Sequence, residues 1–298
     1  MTHRNQHFVP KSLLNGWVAE GSTQLVEFRW SASRLESKEV GPKGTGYLRD
    51  GYSVNLCCEK LKLERWETDV ETKFFTQKID APIGPVLASI RAHKNLEQLT
   101  AEERDLLATF VIAQWLRTPK RVTEFAEIAA SRHLREQAER LEQTAAPATD
   151  EAKMTRALKA QNILDSYLQI GRNNAVQALP FIISSDKLVQ TIRHAPSAVF
   201  NLCKSRLKLV LGDHPVHLEG SLSSEFLVFL PLGPDLLFAA TSTPQLLRSV
   251  RNSPHTNLVR QLNKESVLSA EKYVFASDHE SEQLVRRRLQ KPSFHRTS

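Results

Sequence analysis

Residues 197–241 contain four short apolar runs, and these runs determine the fold class that the sequence predicts. The runs are SAVFNLC (197–203), LKLVLGD (207–213), EFLVFLPLG (225–233) and LLFAAT (236–241). They combine aliphatic and aromatic residues with Gly, Pro, Ser or Asp near their ends, which is typical of strands. This part of the chain is therefore predicted to form a sheet.

A second strand region lies near the start of the chain. QLVEFRW (24–30) and SRLESKEV (33–40) predict a hairpin, and GPKGTGYLRDGY (41–52) predicts a loop. Thr100 and Glu103 predict a capping box at the start of a helix that ends before Pro119. The remaining spacing is helical in seven further segments: 61–77, 82–90, 124–143, 150–170, 186–195, 257–277 and 281–290.

Strands towards both ends of the chain, around a helical middle, predict an α+β fold. We expect a helix-rich middle with a long helical hairpin, and a mainly antiparallel sheet built from N-terminal and C-terminal strands. We expect one domain over 1–298. Its parts are an N-terminal motif and hairpin (1–56), a helical region (57–175) with projecting arms (124–170), a sheet with a closing helix (176–280) and a basic tail (281–298).

The composition is that of an ordinary globular protein, with 298 residues of which 41% are hydrophobic. No apolar run approaches the roughly 20 residues of a membrane helix, so we expect no membrane partner. Cys57, Cys58 and Cys203 leave an odd thiol, which favours a reducing cytoplasm. The net charge of +7 suits nucleic acid as a partner, or it reflects a solvated basic face.

The stretch NQHFVPKSLLNGW (5–17) places polar groups beside residues that look buried. Gln6 and His7 precede Phe8, and Leu13 and Trp17 follow, so we expect this end to be anchored in the fold. His7 is either a packed, hydrogen-bonded side chain or a catalytic imidazole. Gln6 is placed to orient it.

The stretch LGDHPVH (211–217) places Asp213 and His214 where a strand ends. Pro215 stops the strand from continuing its hydrogen bonding. Asp213 either caps the turn or serves chemistry, by binding a metal or orienting a histidine. If the strand continued, His214 and His217 would face opposite sides, so we expect them to be a poor metal pair.

Acidic residues are frequent between 64 and 80. Glu64, Glu67 and Glu71 fall on one face of the predicted helix, and Asp80 lies half a turn from Glu71 unless the chain bends. A solvated acidic face explains most of this pattern. Glu71 and Asp80 nevertheless join Asp213 as metal candidates.

A glutamine interrupts the apolar run LLATFVIAQWLRTP (106–119). If it is buried, the amide of Gln114 needs hydrogen-bond partners. Arg117 either satisfies helix carbonyls or holds a phosphate or carboxylate, and Thr118 lies beside it. The phosphate-loop, G-x-G-x-x-G and G-x-S-x-G motifs do not occur, so P-loop hydrolases and α/β-hydrolases lose their usual support.

Together these elements resemble a bacterial family of unknown function, domain of unknown function 4238. The opening is similar to the family pattern N-Q-H-[FY]-V-P-x-x-x-L. Further similar elements are IDAPIGPVL with Asp80, AQWLRTP with Gln114 and Arg117, PLGP, and the closing stretch 263–277. The turn LGDHP departs from the TSDNP of the pattern. The resemblance implies that the opening motif is an integral part of the domain, and it supplies no established activity.

Two functional hypotheses stay open. In the first, the protein is a nuclease-like hydrolase, in which His7 is a general base or metal ligand and Asp213 orients it or binds a divalent ion such as Mg²⁺ or Mn²⁺. Arg117 then steadies the scissile phosphate, and further substrate contacts come from Gln6, Gln114 and Thr118. In the second, the same residues form a structural polar network in a non-catalytic, toxin-like module, whose arms bind a partner or a second copy.

Three structural expectations follow. The opening motif should pack beside the Asp213 turn, because both flank strands that need partners. Residues 124–170 should form a projecting helical hairpin. The basic tail is either frayed and solvated or part of a nucleic-acid footprint.

Overall fold

The computed structural model describes residues 5–31, 34–58, 63–142 and 150–289, with side chains described except at 56–64 and 132–166. Short antiparallel strand pairs dominate its N-terminal part. A helix, α1 (Lys11–Leu14), follows the first strand. The pairs are β1 (Asn5–His7) with β4 (Tyr47–Arg49), β2 (Leu25–Ser31) with β3 (Arg34–Val40), and β5 (Val54–Cys58) with β6 (Leu63–Glu67).

The predicted hairpin at 24–40 is confirmed, but the predicted helix over 61–77 is wrong in its first part. Residues 63–67 form β6, whose Leu63 pairs with Cys58 and whose Glu67 pairs with Val54. The apolar residues of LERWE, Leu63 and Trp66, are three apart, which favours a helix, but pairing with β5 overrides this local preference. Glu64 and Glu67 therefore do not share a helical face with Glu71.

Helices occupy most of the middle of the chain. A wide π-helix over Val70–Asp80 runs directly into α2. Pro82 and Pro85 both lie inside this continuous helical run, so the break expected between 77 and 82 is not observed. The capping box at Thr100 is confirmed. The α-helices are α2 (Ala81–His93), α3 (Ala101–Leu116), α4 (Pro119–Glu142), α5 (Asp150–Ile183) and α6 (Asp186–His194).

The predicted arms fall within α4 and α5, which are longer than the arms and contact each other. At Gly171 the two backbones approach closely, since an added Cβ would lie 2.4 Å from the carbonyl oxygen of Ala126. The connection over 143–149, and with it the hairpin turn, lies outside the described residues. The projection of the arms stays a prediction.

The remaining strands form two antiparallel sheets. β7 (Ser197–Asn201), β9 (His217–Gly220), β10 (Phe226–Gly233) and β11 (Leu236–Thr241) make the first, in the order β7-β11-β10-β9. The second has the order β3-β2-β12-β8 and includes β8 (Leu211–Gly212) and β12 (Tyr273–Ala276). The second sheet joins strands from both ends of the described chain. Together, the helices and the antiparallel sheets confirm the expected α+β fold.

Three helices complete the C-terminal part: α7 (Pro244–Asn252), α8 (His255–Ser269) and α9 (Glu282–Arg288). The prediction of helix through residue 277 is wrong, since β12 inserts between β2 and β8. The helix ends at Ser269, and the β-favouring residues of YVFA then pair with both neighbours. The structure contains no helix, among its described residues, that is long and apolar enough to cross a membrane.

The first part of the basic tail is packed rather than frayed. Val285 and Leu289 are buried against side chains of β2 and β12. The indole N–H of Trp30 donates to the carbonyl of Leu289 at 3.0 Å. The three arginines of α9 lie on its exposed side, at 286, 287 and 288. Lys291 and Arg296 lie outside the described residues.

Candidate functional site

Gln6 anchors the opening motif from a fully buried position on β1. Its side-chain N–H donates to the hydroxyl of Ser53 at 2.8 Å, and its amide oxygen accepts from the backbone N–H of Tyr52. The Tyr52 hydroxyl in turn donates to the carbonyl of Arg117. The first strand is thus tied through one loop to the end of α3.

Arg117 is the centre of a polar cluster, and none of its side chain is exposed. Its guanidinium contacts the Asp80 carboxylate at 2.9 Å and lies over the Phe75 ring, 5.1 Å from the centroid. With its amide oriented to satisfy both groups, Gln114 accepts from Arg117 Nε at 2.9 Å and from Nη2 at 2.6 Å. Arg117 therefore has its charge and most of its donors committed inside the fold.

The π-helix explains why Glu71 and Asp80 lie on one side. Nine residues make two and a half turns of an α-helix, so the two side chains would point apart. Hydrogen bonding five residues back widens the turn to about 4.4 residues, so nine residues make about two turns. Glu71 and Asp80 thus interact with each other and with Arg117 without a bend in the chain.

Glu71 is one of three members of the cluster, with His7 and Asp80, that have a buried polar atom without a hydrogen-bond partner among the described residues. In Glu71 this atom is Oε2. Burial raises the pKa of Glu71 to about 7, the Arg117 charge and a hydrogen bond with the Thr76 side chain oppose the rise, and the nearby Asp80 charge adds to it. Burial also raises the pKa of Asp80, against the opposing effect of Arg117.

His7 lies at the edge of the same cluster. Burial lowers the pKa of His7 to about 4, and the charges of Lys11 and Arg117 lower it further. A hydrogen bond between the ring and the carbonyl of Pro42 opposes this shift, and Nε2 is buried without a hydrogen-bond partner among the described residues. The lowered pKa makes the ring neutral at pH 7.

Asp213 occupies a different place, where its carboxylate holds the loop between α8 and β12. It accepts from the backbone N–H groups of Glu271, Lys272 and Tyr273 at 3.0, 2.7 and 2.9 Å. Burial raises the pKa of Asp213 to about 6, although these bonds favour the charged form. Phe8 stacks on Tyr273 with centroids 6.2 Å apart, so the opening motif does pack beside this loop.

Gln114 and Thr118 also line a cleft of about 270 Å³ beside the end of α3. His214 and His217 line it together, which corrects the expectation that they face opposite sides. His214 precedes the strand, because β9 begins only at His217, so strand alternation does not apply to the pair. Burial lowers the pKa of both histidines to about 4. Thr118 Oγ1 and His214 Nε2 have no hydrogen-bond partner among the described residues.

The metal candidates do not come together as one site. Within the described ranges, no group of three or more His, Cys, Asp or Glu side chains is arranged to hold a metal ion. Glu71 and Asp80 share Arg117, whereas Asp213 binds backbone amides of the α8–β12 loop.

Several residues of this network were not singled out from the sequence. Tyr52 ends the stretch predicted only as a loop and Ser53 follows it, and Arg172 on α5 holds this segment by donating to the carbonyls of Asp50, Gly51 and Ser53 at 2.9–3.1 Å. Arg91 on α2 donates to the carbonyls of Ser12, Leu13 and Leu232. Arginines on amphipathic helices are usually solvated, so no sequence signal marks these two.

The segments that meet at Arg117 match one family. The family described as "Protein of unknown function (DUF4238)" matches residues 5–280. The chain belongs to this family. Comparisons with curated proteins and with solved structures found no match. The family match covers the opening motif, the π-helix and the end of α3. Because the family is described as one of unknown function, the match assigns no activity to the Arg117 cluster.

Proposed function

We propose that the protein is a hydrolase whose acid–base group is Glu71, acting on a phosphodiester such as nucleic acid. The supporting observation is the unpartnered, buried Oε2 of Glu71 beside the fixed Asp80–Arg117 pair. A carboxyl group with a pKa near 7 exchanges protons efficiently at neutral pH. The catalytic residues are then Glu71 and His7, whereas His7 and Asp213 were predicted from the sequence.

The neighbouring groups have separate roles in this proposal. Neutral His7 uses Nε2, taken as its unprotonated nitrogen, to accept a proton or a hydrogen bond from the attacking water. Arg117 positions Asp80 through their ion pair, and Gln114 holds Arg117 by accepting hydrogen bonds from its guanidinium. Lys11 adds positive charge that reaches all three titratable groups, namely His7, Glu71 and Asp80, and it suits an anionic substrate.

The test measures cleavage of plasmid DNA, of single-stranded RNA and of bis-p-nitrophenyl phosphate, each with Mg²⁺, with Mn²⁺ and with EDTA. Wild-type protein should cleave at least one of them. Glu71→Gln should lose about 100-fold or more in kcat, and the exposed Glu97→Gln control should keep the wild-type rate. Absence of cleavage under all conditions, or full activity in Glu71→Gln, would refute the proposal.

A second candidate function is protein interaction through α4 and α5. Exposed apolar side chains on these helices favour it, with Phe181 82% and Ile128 67% exposed. The complete internal bonding of Gln6 and Asp213 also suits a structural role. In this case the protein should be an oligomer by light scattering, and Phe181→Asp should return it to a monomer. A wild-type monomer that captures no partner would contradict this function.

His7→Ala separates the two functions. A catalytic His7 predicts lost cleavage with a retained melting temperature, whereas a structural His7 predicts a lower melting temperature.

We also propose a reducing, cytoplasmic location, which agrees with the free, exposed thiol of Cys203.

A further inference from the structure

A basic groove of about 690 Å³ lies between α8, α9 and the segment 206–208. Six exposed cationic side chains line it, against two acidic ones, Asp278 and Glu280. Of the acids, Asp278 is already paired with Lys208 at 2.7 Å. The six cations are Arg206, Lys208, Arg260, Lys264, Arg287 and Arg288.

Five of the six groove cations form no ion pair with a described residue, and the exception is Lys208. Arg260 and Lys264 are one turn apart on α8, where like charges repel and destabilise a helix. The helix dipole accounts for arginines in the last turn of α9, but it does not account for Arg260 in the middle of α8.

The groove walls are held in place by buried groups. Asn263 is buried on α8, accepts from the backbone N–H of Val210 at 2.9 Å and donates to the carbonyl of Lys208 at 2.7 Å. These bonds fix the segment that carries Arg206 and Lys208 against α8. On the other side, buried Val285 and Leu289 hold α9. The positive charges are therefore positioned before any ligand binds.

We propose that this groove binds the phosphate backbone of a nucleic acid. Unpaired cations in a concave, preformed surface favour a regularly spaced polyanion, because each neutralised phosphate releases a counterion. Among the described residues, no aromatic side chain lines the groove, so these residues offer bases no platform on which to stack. Binding is therefore expected to be independent of sequence. The inference deepens the proposed function by naming the surface that holds the nucleic acid.

The test uses fluorescence anisotropy with a fluorescein-labelled 20-base-pair DNA in EDTA, from about 50 to 200 mM KCl. Arg260→Gln/Lys264→Gln should reduce the log–log salt slope by about 1.8, since each lost phosphate contact removes about 0.9, and should weaken binding at least tenfold at about 100 mM. Arg206→Gln/Arg287→Gln, on the other two walls, should act similarly. Arg248→Gln/Arg251→Gln removes two exposed charges from α7 outside the groove and should leave both quantities unchanged.

Each other outcome overturns the proposal. It fails if wild-type protein does not bind the duplex at about 50 mM KCl, if folded groove variants bind as wild type, or if the α7 control loses as much affinity. Equal competition by polyglutamate at the same charge concentration would show a general polyanion surface instead. Glu71→Gln should bind with wild-type affinity, so lost cleavage with intact binding separates a failure of the proposed function from a failure of the groove.

Discussion

The carboxylate of Asp80 and the guanidinium of Arg117 meet at 2.9 Å, with the arginine side chain entirely buried. The pair joins the end of the π-helix to the end of α3, and Tyr52 links it to the first strand. Taking two charges out of water is costly, so the pair stabilises the fold only because Gln114 and Phe75 complete the surroundings of Arg117. Removing one member of the pair should therefore destabilise the protein strongly.

Arg117→Ala should lower the free energy of unfolding by about 3–5 kcal/mol, because it leaves Asp80 buried without a counterion. Arg117→Lys should lose less, since it keeps the charge but cannot reach Asp80 and Gln114 together. Urea denaturation at pH 7 measures both. Equal stability of wild type and Arg117→Ala would show that the pair contributes nothing.

Glu71 should make stability depend on pH between about 4.5 and 7. Its folded pKa is raised to about 7 from 4.5, so the folded state binds more protons than the unfolded state in this range, and stability falls as pH rises. Glu71→Gln should be more stable than wild type by about 3 kcal/mol at pH 8 and equal to it near pH 4.5. Urea denaturation at both pH values tests this. A constant difference would contradict the raised pKa.

His217 should have the opposite dependence on pH. Its folded pKa is lowered to about 4 from 6.5, so the unfolded state binds more protons, and stability is lost as pH falls from about 6.5 to 4. His217→Gln keeps a donor for the Ser266 hydroxyl and should lose about 3 kcal/mol less than wild type over that range. The exposed control His93→Gln should retain the wild-type slope, and a flattened slope in this control would refute the assignment.

Gly16 and Gly84 form a matched pair for packing. An added Cβ at Gly16 would lie 2.3 Å from the carbonyl oxygen of Leu232, whereas at Gly84 the nearest atom is 3.9 Å away. Gly16→Ala should therefore destabilise the protein by about 1–3 kcal/mol. Gly84→Ala, inside α2, should stabilise it by about 0.5–1 kcal/mol through helix propensity. Thermal melts compare the two variants, and a higher melting temperature for Gly16→Ala than for Gly84→Ala would contradict the close packing at Gly16.

Local signals in the sequence predicted the elements that depend on neighbours along the chain. The capping box at Thr100 and the hairpin at 24–40 need only nearby residues, and both were predicted correctly. β6 and β12 were predicted as helix, because neither LERWE nor YVFA alternates apolar and polar residues and their strand partners lie elsewhere. Pairing across the fold decided these two.

The candidate site was predictable in its members but not in its geometry. Gln6, Gln114 and Arg117 were singled out as polar groups in apolar surroundings, and they do meet in one network. Glu71 was treated mainly as part of a solvated face, because an α-helix would place it opposite Asp80. The change to π-helical hydrogen bonding is not encoded in a recognisable motif, so its effect on Glu71 required the structure.

The pairing of β12 with β2 has a consequence for the order of biosynthesis. Arg29 pairs with Tyr273 in register, so β2 completes its sheet only after β12, which is made much later than β2, has left the ribosome. Until then β2 offers an open edge, which favours association with other chains. We expect the nascent chain to need protection over most of its translation, and a ribosome-bound chain truncated before residue 270 to remain sensitive to protease at 25–40.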